Sequence, residues 1–201
     1  MWSVMRDLSD HFRRKGEMKK GVHLKTKRLD LKTLRVRHIS DRYVNGLNDG
    51  QVNKFLLAPR QKKQTRKTVR DYVEASLNSP SGLLFGLFHK TTGDLIGTLR
   101  VHDISHFHYS CCLGICLFDR SYWGKGYAQE ALKEAVRFAF KELRMHYIEA
   151  GIYQGNRASV QLFKKCGFRK VATHRDKYRY DASFRPVFIF GKTNPDFKLR
   201  S

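Results

Sequence analysis

The chain has 201 residues, of which 41% are hydrophobic and 29% charged. That suffices for one domain with its own core but not for two, and it excludes a disordered polymer; no apolar run approaches the roughly 18 residues of a membrane-spanning helix. Lys and Arg number 40 against 18 Asp and Glu, a formal charge of +22, which implies attraction to polyanions such as nucleic acid or phosphorylated metabolites.

Residues 1–22 read as a basic N-terminal extension carrying Arg13, Arg14, Lys15, Lys19 and Lys20. They lack the continuous apolar stretch of a secretory signal, so a cytoplasmic location is expected. Leu29, Leu31, Leu34 and Val36 predict a first strand, and Ser40-Asp41 offers a helix N-cap ahead of Tyr43, Val44 and Leu47. Val69, Tyr72, Val73 and Leu77 recur at helical spacing until the Asn78-Ser79-Pro80-Ser81-Gly82 cluster. Residues 83–89 and 95–101 predict a β-hairpin, and a further strand is expected over 109–118. After Gly126, the residues Ala128, Ala131, Leu132, Ala135, Val136, Ala139 and Leu143 mark the strongest helix. A strand over 147–153, a short helix over 158–165 closed by Gly167, and strands over 168–172 and 187–190 complete the pattern. Strands first and then alternating with helices predict a single α/β domain with a mixed sheet, over residues 23–193, with 194–201 as a tail.

Cys111, Cys112 and Cys116 fall in one predicted strand, where neighbours face opposite sides and a four-residue separation spans about 13 Å. They cannot share one zinc ion, and read as buried thiols; no metal is expected. The informative stretch runs from Asp119 to Ala131, where a strand enters a glycine-containing turn and then a long helix. Such a turn aims free backbone N–H groups and the positive helix end at an anion. Its alternative reading is a tight turn with close packing, since it matches neither a P-loop nor the dinucleotide fingerprint.

Trp123-Gly124-Lys125-Gly126-Tyr127-Ala128, the pair Asn156 and Ser159, and Lys165-Cys166-Gly167-Phe168 together resemble the RimJ/RimL-like branch of the GNAT N-acetyltransferases, over about residues 29–191. The resemblance implies a GNAT fold, a central mixed, splayed β-sheet flanked by helices, that binds acetyl-CoA as co-substrate and acetylates a primary amine by direct attack. It places the pyrophosphate on the amides of Gly124, Lys125, Gly126, Tyr127, Ala128 and Gln129. It sets the pantetheine arm along Leu117, Phe118 and Asp119, in a gap between the strands ending near Phe118 and Tyr153. Asn156 then contacts the cofactor or lines the opening; as a residue it reads equally as a helix cap.

Two positions depart from the family pattern: Cys112 stands where relatives commonly carry a glutamate base, and Phe163 where many carry a tyrosine acid. Ser159 resembles the serine assigned to the leaving thiol in this branch, with a helix-start serine as the alternative. His102 and His108, in a cluster with Asp103 and His106, are the candidate bases. An α-amine is far more often neutral near pH 7 than a lysine amine, which favours a protein N-terminus beside RNA or an amino sugar linked to a nucleotide. The stretch from Asn48 to Leu56 is similar to one in relatives of amino-sugar pathways and favours the sugar. The competing class is a catalytically impaired GNAT-fold protein that binds RNA or ribosomes through its basic surface.

Overall fold

The computed structural model describes residues 21–199, so nearly all of the expected N-terminal extension lies outside the described residues. A short strand, β1 (His23–Lys25), pairs with β2 (Leu29–Thr33). The first strand ends earlier than the sequence suggests. Val36–His38 form a 3-10 turn, and Leu34 is fully buried with its amide on the Leu84 carbonyl. Four helices follow: α1 (Asp41–Asn48), α2 (Gly50–Asn53), α3 (Leu57–Gln61) and α4 (Arg66–Asn78). Ser40 caps α1 by accepting from the Tyr43 amide, as its place ahead of the apolar stripe predicts. The short α2 and α3 were not legible, because neither has a full turn of apolar periodicity.

Next come β3 (Leu83–His89), β4 (Leu95–Ser105), β5 (Ser110–Leu117), α5 (Tyr127–Lys141) and β6 (Tyr147–Tyr153). They are followed by α6 (Arg157–Lys165), β7 (Arg169–His174), β8 (Arg179–Tyr180), β9 (Ser183–Phe184) and β10 (Val187–Thr193). β4 runs beyond the expected hairpin arm because Ile104 is buried and Ser105 pairs with Ser110 across a bulge that holds Asp103 at φ 51°. His102 and Asp103 are therefore strand residues, not loop residues.

Among the described residues the main sheet has eight strands in the order β1-β2-β3-β4-β5-β6-β10-β7, and β8 and β9 form a separate hairpin. Every neighbouring pair of the main sheet is antiparallel except β5 and β6, which α5 connects as a crossover. One face packs on α5 through Leu99, Val101, Cys111, Leu113, Ile148 and Ala150 against Ala131, Leu132, Ala135 and Ala139. The small alanines let this helix lie close to the sheet. The other face carries Leu84, Leu95 and Phe118 under Tyr43, Leu47, Val69 and Val73 of α1 and α4. Beyond β10 the chain stays docked, with Asn194 buried and its side-chain amide donating to the Met145 carbonyl. No helix of the described residues is long and apolar enough to cross a membrane.

Candidate active site

After β5, Asp119 caps a 3-10 turn over Arg120–Tyr122, and the chain crosses Gly124 and Gly126 before α5 begins. Both glycines are left-handed, at φ 72° and 82°, a conformation strained for any residue with a Cβ. Within the described residues, the amides of Gly124, Lys125, Gly126, Tyr127, Ala128 and Gln129 donate to no protein group; the first helical bond runs from the Glu130 amide to the Gly126 carbonyl at 3.0 Å. A row of unpaired donors at the positive end of a long helix is an anion receptor.

Arg28 adds a charge to this turn. Its Nη1 donates to the Lys125 carbonyl at 2.9 Å, its Nε pairs with Glu130 at 2.7 Å, and its guanidinium lies 4.1 Å from the Tyr127 ring centroid. Glu130 also accepts from the Thr26 hydroxyl and the Arg28 amide. Burial alone would raise the Glu130 pKa, but the bonds from Thr26 and Arg28 outweigh it and hold the carboxyl below its usual range. Arg42 likewise bridges Asp94 and Asp119 where β5 leaves the sheet. At Asp119, too, burial pulls upward, while Ser121 and Arg42 bring the pKa below normal.

β5 and β6 pair only through Ser110, Cys111 and Cys112 against Tyr147, Ile148 and Glu149. Beyond Cys112 and Glu149 the strands part, so among the described residues β5 from Leu113 to Leu117 has no strand partner on its β6 side, although β4 pairs with its other edge. This is a wedge-shaped gap leading toward the anion turn. At its outer end, the Leu117 carbonyl accepts from Trp123 Nε1 at 2.8 Å and the Asp119 amide donates to the Ile96 carbonyl. Phe118 turns its ring inward and stacks on Tyr43 at 4.6 Å.

At the apex, His102, Cys112 and Glu149 are registered neighbours on β4, β5 and β6 and face the same side. Glu149 shares its face of β6 with Gly151 and Tyr153, because Ile148, Ala150 and Ile152 are buried on the other. Gly114 lines the β5 wall with nothing within 4 Å of where a Cβ would stand. Burial, with Asp103 and Glu149 nearby, pushes the Cys112 thiol up to about 11, so it is neither a base near neutral pH nor a ready thiolate ligand. His102, Asp103 and Cys112 present ligand-type atoms within 4.8 Å of one another, a trio that shares only Cys112 with the cysteines weighed in the sequence.

Asn156 caps α6, its side-chain oxygen accepting from the Ser159 amide at 3.2 Å. Ser159 stands one turn ahead of the buried Phe163 on the same face of α6. His108 lies exposed in the β4–β5 turn, at the end of β5 opposite the gap. Open depressions of about 550 and 420 Å³ flank Phe188 and the start of α6, and neither the anion turn nor the apex row borders them. Sequence reasoning missed Glu149, Arg28 and Glu130. The signal for Glu149 was present: it is the one acidic residue in the apolar strand from Tyr147 to Tyr153.

Residues 28–169 match the family model for the acetyltransferase (GNAT) domain. The probable N-acetyltransferase YjcK of Bacillus subtilis is 30% identical over 131 residues, covering 65% of this chain and 72% of that protein. The [ribosomal protein uS5]-alanine N-acetyltransferase of Escherichia coli is 29% identical over 119 residues, 58% of this chain and 60% of that one. Among solved structures, the fold matches the ribosomal-protein acetyltransferase RimL in complex with coenzyme A at a TM-score of 0.77 and 13% identity, over 86% of this chain and 98% of that one. The row of free amides and the unpartnered edge of β5 fit coenzyme A, an anion joined to an amide-bearing arm. The chain therefore belongs to the GNAT acetyltransferases, in the RimJ/RimL-like branch, and is an N-acetyltransferase that uses acetyl-CoA.

Proposed function

We propose that the acceptor is the α-amine of a protein N-terminus, acetylated by direct attack in a ternary complex with Glu149 taking the amine's proton. The observation that carries this reading is the gap itself, with unpaired amides at one end and a carboxylate where the strands part. Bound acetyl-CoA supplies a thioester open to attack by an amine. The amides of Gly124 through Gln129, with Arg28 behind them, hold its pyrophosphate. The free edge of β5 from Leu113 to Leu117 bonds the pantetheine amides as a neighbouring strand would, leaving Phe118 and Asp119 to anchor the turn.

Glu149 is preferred as base over His102, which stands two strand spacings, about 10 Å, away across Cys112. His108 is outside the gap and has no part in this reading. The Ser159 hydroxyl protonates the departing thiolate and regains a proton from solvent, while Glu149 releases the amine's proton to solvent. Asn156 positions Ser159 by capping the same turn.

An amine of pKa ~7.7–8.0 is about a tenth neutral near pH 7, whereas one of ~10.4 is neutral less than about once in a thousand. That difference favours an α-amine where one carboxylate does the work, and the activity of the uS5-alanine relative supports the same class. The stretch that favours the nucleotide-sugar reading begins with two residues that already have structural partners. Asn48 bonds the Val44 and Gln64 carbonyls and the Gln64 amide, while Asp49 caps α2 and pairs with Arg120, so both residues hold the backbone. The charge of +22 suits a cytoplasmic acceptor presented beside RNA.

The test is thiol release from acetyl-CoA with a peptide beginning in Ala. Glu149→Gln should lower kcat by about 10²–10⁴-fold and leave the rise in unfolding temperature with CoA intact. An unchanged kcat would move the proton transfer to another residue.

A further inference from the structure

Tyr180, on β8, is buried, and the guanidinium carbons of Arg60 and Arg185 each lie 3.6 Å from its ring centroid. Two such groups cannot share one side of a ring at stacking distance, so they occupy opposite faces, about 7 Å apart. A stacked guanidinium keeps its in-plane N–H donors free for a carboxylate. Arg60 spends a donor on the exposed carboxylate of Asp181, at 2.5 Å. Among the described residues, no carboxylate lies within ion-pair distance of Arg185.

This pair stands at the mouth of the gap. The Tyr180 ring lies 5.6 Å from that of Tyr153, the last residue of β6, and its hydroxyl donates to the Lys54 carbonyl at 2.8 Å. Tyr153 shares a strand face with Glu149 and Gly151 and lies four residues beyond Glu149, about 13 Å along an extended strand. A peptide running out of the gap in extended form covers that distance in about four residues. Asp181 sits in the left-handed region at φ 56° on the β8–β9 hairpin and already offers Arg60 the group an acceptor would bring.

We propose that Arg60 and Arg185, held on the two faces of Tyr180, form a subsite for an acidic side chain at about the fourth or fifth residue of the acceptor peptide. The inference rests on the protein N-terminus reading above and adds to it a sequence preference. Arg185 is the contact and Arg60 its companion, with Asp181 the internal competitor. The opposed signs expected of Arg185 and Asp181 variants separate a binding role from loss of packing.

The experiment uses the full chain, acetyl-CoA and three Ala-initiated peptides, identical except for Asp, Asn or Lys at the fifth residue, read as kcat/KM by thiol release. The Asp peptide should exceed the Asn peptide by about tenfold, with the Lys peptide poorest. Arg185→Ala should erase the Asp advantage through KM, bringing the Asp peptide down to the level of the Asn peptide, Arg185→Lys should restore part of it, and Asp181→Asn should enlarge it. Should Arg185→Ala fail to fold, Arg185→Lys and Asp181→Asn carry the same test. Equal turnover of all three peptides by the wild type would overturn the subsite and keep the N-terminal acceptor; no turnover of any peptide would overturn both.

Discussion

Gly126 shows how one residue shapes the turn proposed to bind the pyrophosphate. Its φ of 82° turns the chain so that the amides following it point out of the helix start, and its missing Cβ would lie 3.4 Å from the Arg28 guanidinium. Gly126→Val should therefore abolish the CoA-induced rise in unfolding temperature, because a ligand stabilises the native state only in proportion to its binding. A retained shift would place the pyrophosphate elsewhere. Ser159 supports a subtler prediction. Since its amide already bonds Asn156, its hydroxyl is dispensable for the cap, and Ser159→Ala should lower kcat while the affinity for CoA holds. Equal loss of both in steady-state and binding measurements would make Ser159 a structural residue.

At the scale of the element, Glu130 ties the turn between β1 and β2 to the first turn of α5 through Thr26 and Arg28. Its side chain is 18% exposed against 37% for Arg28, so solvent screens part of the attraction. Glu130→Gln should cost about 1–2 kcal/mol in denaturant unfolding. Because the folded pKa is depressed, this contribution is present above the unfolded value of ~4.3 and fades as pH falls through the lower folded value. The wild-type and Glu130→Gln unfolding midpoints should converge in acid; a gap that persists there would assign the difference to packing.

Elements with strong periodicity were legible in the sequence: α5 from its alanine and leucine stripe, β6 to the residue, and α1 from Ser40. The β8–β9 hairpin was not, for Arg179 and Tyr180 carry no alternation and are placed by Arg60 and Lys54, far away in sequence. The row of free donors in the glycine turn was legible because it is local. The apex row was not legible, because pairing of β4, β5 and β6 is what brings His102, Cys112 and Glu149 together.

At the scale of the molecule, the charge of +22 acts over distances that single contacts do not. Association of an acidic acceptor should weaken with salt, since the Debye length falls from about 10 Å at 0.1 M to about 3 Å at 1 M. KM for an Asp-containing peptide should rise with added KCl more steeply than for its Asn counterpart, and parallel salt curves would deny the surface any steering role. The sheet itself divides into β1 through β5 and a second block of β6, β10 and β7, sewn together by three residue pairs. If the pantetheine arm lies in that seam it acts as a missing stave, and those β5 amides beyond Cys112 that face away from β4 should exchange with deuterium slowly only when it is in place. On the proposed reading, substrate finishes the architecture that the polypeptide leaves open.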